Sequence, residues 1–198
     1  EAIAAIGITE PEAGSDVASI QPTAEKDGNS WVLNGEKHYI TNAGIAAFYV
    51  VLARTSGPGS RGLSMIIVPG EAVTEVERYD LVAPHPCGKL TFNYVRVPLE
   101  NLVGSEGEGF KVAMRTLDHF RPTVGAAANG MAARALDEAR RRVKTRHQFG
   151  KPIAQFQQLQ AYLADSWTEL LAARLLVARA GTAHAENDPM AGQYSSAA

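Results

Sequence analysis

The chain has 198 residues, of which 45% are hydrophobic and 20% charged, and a formal net charge of -2. These values fit one large or two small folded domains and exclude a disordered chain. The near-neutral balance gives no electrostatic ground for nucleic acid, no apolar run approaches the ~20 residues that cross a bilayer, and the single cysteine excludes a disulfide framework.

Residues 2–8 form an apolar run read as a buried strand, entered directly from Glu1 without an initiator methionine, as expected of the middle of a longer protein. The run stops at a turn. Thr9 and Ser15 offer hydroxyls there, Gly14 lets a backbone come close, and Asp16 is expected to fix the turn through its side chain. Residues 23–26 and 30–33 flank Asp27-Gly28-Asn29 as a hairpin, and Asn34-Gly35 is expected to turn the chain into the next strand. Residues 48–53 and 63–68 are apolar runs separated by a Ser/Gly/Pro loop, and residues 90–97 are expected to be the last strand, ending at Pro98. Strands at this spacing predict a small β-barrel or sandwich over residues 1–103.

After Gly104 the period changes. Residues 107–119 predict a short helix, and Pro122 fits the first turn of a new one, where a missing N–H costs nothing. Val124, Ala128, Met131, Ala135, Ala139 and Val143 recur at helical spacing, as do Phe156, Leu159, Leu163, Trp167 and Leu170 in a second long helix running to about Glu186. The two helices, joined through Gly150 and Pro152, are expected to pack antiparallel as half of an up-down bundle over residues 104–198, with apolar faces left uncovered and a third helix opening near Gln193. The fold class is therefore α+β and multidomain. The basic cluster Arg140, Arg141, Arg142, Lys144 and Arg146 falls where a helix dipole favours cations.

Two motifs carry function: Thr9-Glu10-Pro11-x-Ala13-Gly14-Ser15-Asp16, then Asn34-Gly35-x-Lys37-x-x-Ile40-Thr41-Asn42. With Val95-Arg96-Val97-Pro98, Gly107-x-Gly109-Phe110, Asp118-x-x-Arg121-Pro122 and Arg146-x-x-Phe149-Gly150-Lys151-Pro152, they make the chain resemble the acyl-CoA dehydrogenase family over essentially its whole length. The resemblance implies FAD, an acyl-CoA substrate desaturated at Cα–Cβ with hydride passing to the flavin, and an electron-transferring flavoprotein as acceptor. It also implies a homo-oligomer built as a dimer of dimers, in the bacterial cytoplasm or the mitochondrial matrix, with neither nucleic acid nor membrane as partner.

By the same resemblance, Ile8 and Thr9 meet the flavin ring, and Tyr39, Ile40 and Thr41 its other side, with tyrosine where many relatives have tryptophan. Ser15 corresponds to a contact with the thioester substrate, and Asp118 and Arg121 to a pair near the adenosine end of CoA. Read without the motifs, Asp118 and Arg121 are an i, i+3 ion pair worth only ~0.2–0.5 kcal/mol. Arg146, His147, Gln148 and Phe149 match a segment reaching the flavin pyrophosphate from a neighbouring subunit, and Phe156 and Gln157 match a second contact. Relatives place the catalytic glutamate downstream of residue 198 or at the position that here is Phe120, so no catalytic residue and no metal ligand is assigned. Residues 82–89 depart from the family's glycine-arginine-hydroxyl run and leave acyl specificity open; His85 in that loop is read as solvent-facing, and Cys87 has no activating partner. The competing readings are an acyl-CoA oxidase, a nitroalkane oxidase or a flavin monooxygenase of the same fold. A non-catalytic flavin- or acyl-CoA-binding homologue is the other, which Phe120 would permit.

Overall fold

The alternating and continuous apolar runs of the first half form one mixed sheet. In the computed structural model, which describes residues 2–83 and 85–198, its strands are β1 (Ala4–Gly7), β2 (Thr23–Asp27), β3 (Ser30–Thr41) and β4 (Phe48–Arg54). β5 (Leu63–Pro69), β6 (Glu75–Arg78), β7 (Cys87–Pro98) and β8 (Leu102–Val103) complete it. The order is β6-β7-β3-β2-β4-β5-β8, with β1 parallel to β4 through Ala4↔Phe48 to Gly7↔Val51. Among the described residues the end strands β6 and β8 do not pair, so the sheet is open rather than a closed barrel. β7 is also not the last strand, because β8 follows it and pairs with β5.

β4 and β5 are buried on both faces, which is why their sequences run apolar without alternation. Tyr49, Val51, Ile66 and Val68 pack with Trp31, Leu33, Leu90 and Phe92 on one side, while Leu52, Leu63 and Met65 pack with Ile8, Ile20 and Ala113 on the other. The run before β1 is less buried than its composition predicts, with Ile3 47% exposed. Asn34-Gly35 does not turn the chain. β3 continues through it, and the register slips between Leu33↔Val95 and Gly35↔Phe92, so that Asn93 and Tyr94 of β7 bulge opposite Asn34. Asn34 Oδ1 accepts the Tyr94 amide at 2.9 Å, and Gly35 takes a left-handed φ of 128° with no room for a Cβ beside Pro22.

The chain divides into two compact units at Met114/Arg115, a boundary that falls inside helix α1 (Gly109–Thr145). The second unit continues through a small hairpin, β9 (His147–Gln148) with β10 (Lys151–Pro152), then α2 (Gln157–Ala185) and α3 (Ala191–Ala197). α1 and α2 run antiparallel, with Gly125 beside Val177 and Val143 sharing a groove with Leu159. Their outer faces carry uncovered apolar side chains, including Val124, Met131, Trp167 and Leu175.

Pro122 departs from expectation. It lies inside α1, not at the start of a new helix. A proline there cannot donate to the carbonyl four residues back, which is Asp118 O. The carbonyl has found a replacement: His184 Nε2 of α2 lies 3.0 Å away and also sits 2.6 Å from Ser195 Oγ of α3. The imidazole thus stands in for the missing amide and lets the helix run on. His184→Ala strips Asp118 O and the buried Ser195 of a partner and is expected to lower stability by about 1–3 kcal/mol in chemical denaturation. His184→Asn, which keeps a donor, is expected to lose less; equal losses would show that the ring acts by packing alone.

Candidate functional site

In the first unit the two motifs are tied together by a buried ion pair. Lys37 of β3 is fully buried, and its Nζ donates to Glu10 Oε1 at 2.6 Å and to Ile8 O at 3.0 Å. Glu10 Oε2 accepts the Gln21 amide at 2.9 Å, and Glu10 N donates to Ala13 O at 2.9 Å, closing the turn. Burial pulls the Lys37 ammonium down to about 8, against the opposing pull of Glu10. The strand end at Ile8 and Thr9 is therefore fixed against β3, and the His38 amide donates to Thr9 O at 2.8 Å. Sequence reasoning assigned no role to Lys37. No local signal exposed it, because Lys37 lies among Asn34, Glu36 and His38 and its acid stands 27 positions earlier.

A second bulge shapes the surface beside this brace. Lys37 pairs with Leu90 and Ile40 with Gly88, so His38 and Tyr39 together oppose Lys89. Tyr39 adopts a left-handed φ of 56° and stays 68% exposed. An aromatic residue held in that region is strained, and such strain gathers at functional surfaces. Thr41 is exposed and Thr9 half-buried, so both leave hydroxyls near the surface, whereas the side chains of Ile8 and Ile40 are core and shape the site only through packing and backbone. An exposed flat ring beside a fixed strand end and two hydroxyls is a donor set that fits a flat heteroaromatic group such as the flavin of FAD. Ser15 is exposed on the turn beyond Glu10. Asp16 closes the next turn, at residues 16–19, with its carbonyl, which accepts Ser19 Oγ at 2.8 Å, not with its carboxylate.

In the second unit Asp118 and Arg121 do form the i, i+3 ion pair, partly exposed on α1, with the Asp118 carboxylate beside Gly192 of α3. Arg146, His147, Gln148 and Phe149 lie on the exposed arm and tip of the β9–β10 hairpin. Ile153 N donates to Arg146 O at 2.8 Å, and His147 Nδ1 lies 3.1 Å from Thr145 O. Phe149 is left-handed at φ 52° and 92% exposed, edge-on to Phe156 at 6.1 Å, while the Lys151 ammonium covers the Phe156 ring at 4.6 Å. Gln157 opens α2 beside them. Residues 146–149, 156 and 157 thus form one cluster. Arg121 lies 25 positions before Arg146 on the same helical path, about 37 Å at 1.5 Å per residue, so the Asp118 pair belongs to a different locus.

Residues 5–95 match the acyl-CoA dehydrogenase middle domain, and residues 107–198 match the acyl-CoA dehydrogenase C-terminal domain. The chain belongs to the acyl-CoA dehydrogenase family. It is 42% identical over 182 residues to cyclohexane-1-carbonyl-CoA dehydrogenase of Geobacter metallireducens, covering 90% of this chain and 48% of that protein. It is 44% identical over 182 residues to acryloyl-CoA reductase (NADH) of Anaerotignum propionicum, covering 88% and 46%. The structure of butyryl-CoA dehydrogenase from Megasphaera elsdenii superposes with a TM-score of 0.91 at 38% identity, over 98% of this chain and 54% of that one. The chain spans about half the length of the curated relatives it matches. Among the described residues no group of three or more His, Cys, Asp or Glu could hold a metal, and no helix is long and apolar enough to cross a membrane.

Proposed function

We propose that the protein is an FAD-dependent acyl-CoA dehydrogenase in which this chain supplies the flavin-facing sheet and the first helices of the helical domain. The observation that carries this reading is Tyr39, exposed and left-handed, next to a strand end that the Lys37–Glu10 pair locks in place. Bound FAD would supply the hydride acceptor for the substrate's Cβ–H. Tyr39 offers its ring face to the flavin, and the Thr9 and Thr41 hydroxyls offer hydrogen bonds at its polar edge. Ser15, Asp118 and Arg121 are the residues proposed to contact the acyl-CoA. Arg146, with His147, Gln148, Phe149, Phe156 and Gln157, serves the flavin pyrophosphate of a neighbouring copy, because a guanidinium fork can donate two bonds to one phosphate. That arrangement requires a homo-oligomer, which we propose is a dimer of dimers. Phe120 has no group that can accept a proton, so the base that removes the α-proton comes from a carboxylate elsewhere in the protein. Electrons leave to an electron-transferring flavoprotein in the bacterial cytoplasm or mitochondrial matrix.

The test is anaerobic addition of a saturated acyl-CoA to the purified full-length protein. Bleaching of the visible flavin band, with slow recovery in air and fast recovery with an electron-transferring flavoprotein, is the expected result. Rapid turnover with oxygen as sole acceptor would assign an oxidase instead, and binding without bleaching would assign a non-catalytic homologue.

A further inference from the structure

Two side chains beside Tyr39 have no place in the mechanism above. Tyr79, just beyond β6, places its Oη 2.8 Å from His38 Nδ1, and its amide donates to Cys87 O at 2.9 Å. The Tyr79 ring lies 5.4 Å from the Tyr39 ring and 6.4 Å from that of His38, and His38 lies 6.2 Å from Tyr39. Desolvation first, then Tyr39 and Glu77, holds the Tyr79 phenol above its ordinary value. In the tautomer that carries its proton on Nε2, His38 accepts the Tyr79 phenol at Nδ1 and faces Glu36 Oε2, 3.4 Å away, with its N–H. Lys89 closes the group, 3.6 Å from Glu36 and 3.4 Å from Glu77. His38 thus links Tyr79 on one side to Glu36 on the other.

We infer that Tyr79 and His38 are positioning residues that hold the Tyr39 ring in its left-handed, exposed pose as the platform for the flavin ring. His38 sits on the same two-residue bulge as Tyr39, so anchoring its imidazole anchors the bulge, and the Tyr79 ring flanks Tyr39 directly. A residue at that φ persists only where its surroundings hold it there, and the Tyr79–His38 bond adds a side-chain restraint to the His38 amide bond with Thr9 O. The inference rests on the proposal that Tyr39 meets the flavin, and the experiment separates the two.

Bound-flavin fluorescence and steady-state kinetics are measured on the full-length flavoprotein. Tyr39→Leu removes the platform, and a rise in flavin fluorescence through lost quenching is expected. No change there would overturn the flavin contact and the inference with it. Tyr79→Phe deletes one oxygen and keeps the ring; a smaller rise in the same direction is expected, with kcat falling about 10-fold and the acyl-CoA KM unchanged. His38→Phe is expected to match it, and His38→Gln, which keeps an acceptor, to restore most of the loss. The deciding comparison is the double variant: if Tyr79 acts through Tyr39, Tyr79→Phe adds nothing to Tyr39→Leu. Additive effects, or a Tyr79→Phe enzyme with wild-type fluorescence and kcat, would overturn the inference while leaving the flavin contact standing.

Discussion

Lys37→Met is expected to destabilise the first unit by about 3–5 kcal/mol, because it leaves a buried carboxylate without its counter-charge. Glu10 is 6% exposed, and after the change only the Gln21 amide and its own turn remain to it; Ile8 O also loses its donor. The cost lies in the unpaired charge and not in the pair itself. The double variant Lys37→Met with Glu10→Gln is therefore expected to recover most of the loss, since a neutral amide beside methionine asks for far less. Equilibrium denaturation of the wild type, both single variants and the double variant measures the coupling. A Lys37→Met protein within about 1 kcal/mol of wild type would mean that the buried pair does not brace the turn. Loss of flavin is expected to accompany the loss of stability, because the brace fixes the strand end at Thr9.

The same pair gives a pH signature. Lys37 titrates at about 8 in the folded chain and near its ordinary 10.5 when unfolded. Between those values the unfolded chain binds more protons than the folded one, so stability from this group rises with pH across that window and is lowest below about 8. The physical cause is relief of the cost of burying an ammonium. Lys37→Met removes the titrating group, so the difference in stability slope between wild type and variant, measured from pH 8 upward, is expected to be positive for the wild type. A steeper slope in the variant would reverse the assignment.

The strands, the hairpin at Gly28 and the two long helices were legible because each rests on a local signal, either a period or a turn residue. What was not legible depended on pairing. Asn34-Gly35 carries a strong turn signal, yet β7 supplies a longer partner strand, and the strain is taken up as a bulge with Tyr94 at φ 54°. Pro122 reads as a helix start because the sequence gives no hint that His184, 62 positions later, fills the gap in hydrogen bonding. The site shows the same division. Thr9 and Tyr39 stand out in the sequence because Thr9 opens the first motif and Tyr39 lies inside the second. The Lys37–Glu10 and Tyr79–His38 bonds, in contrast, join residues 27 and 41 positions apart, and no period predicts such contacts.

Arg146→Leu is expected to weaken FAD binding by about 1.5–3 kcal/mol, roughly 10- to 150-fold in Kd, the value of one charge-assisted contact to phosphate. The guanidinium is exposed at the foot of the β9–β10 hairpin, and no carboxylate of a described residue pairs with it, so its charge is free for a ligand. Arg146→Lys keeps the charge without the planar fork and is expected to fall between the two. Titration of FAD into deflavinated full-length protein reads the effect. The proposed origin of that contact in a neighbouring copy has a sharper consequence. In the proposed tetramer, assemblies built only of Tyr39→Leu or only of Arg146→Leu subunits each carry four defective sites. Mixed tetramers, however, contain sites in which an intact Tyr39 from one copy faces an intact Arg146 from another. Flavin binding is then expected to recover in part on mixing and reassociation, by an amount that rises with the fraction of mixed pairs. If Tyr39 and Arg146 serve the same flavin from within one chain, no mixture contains an intact site, and no recovery follows.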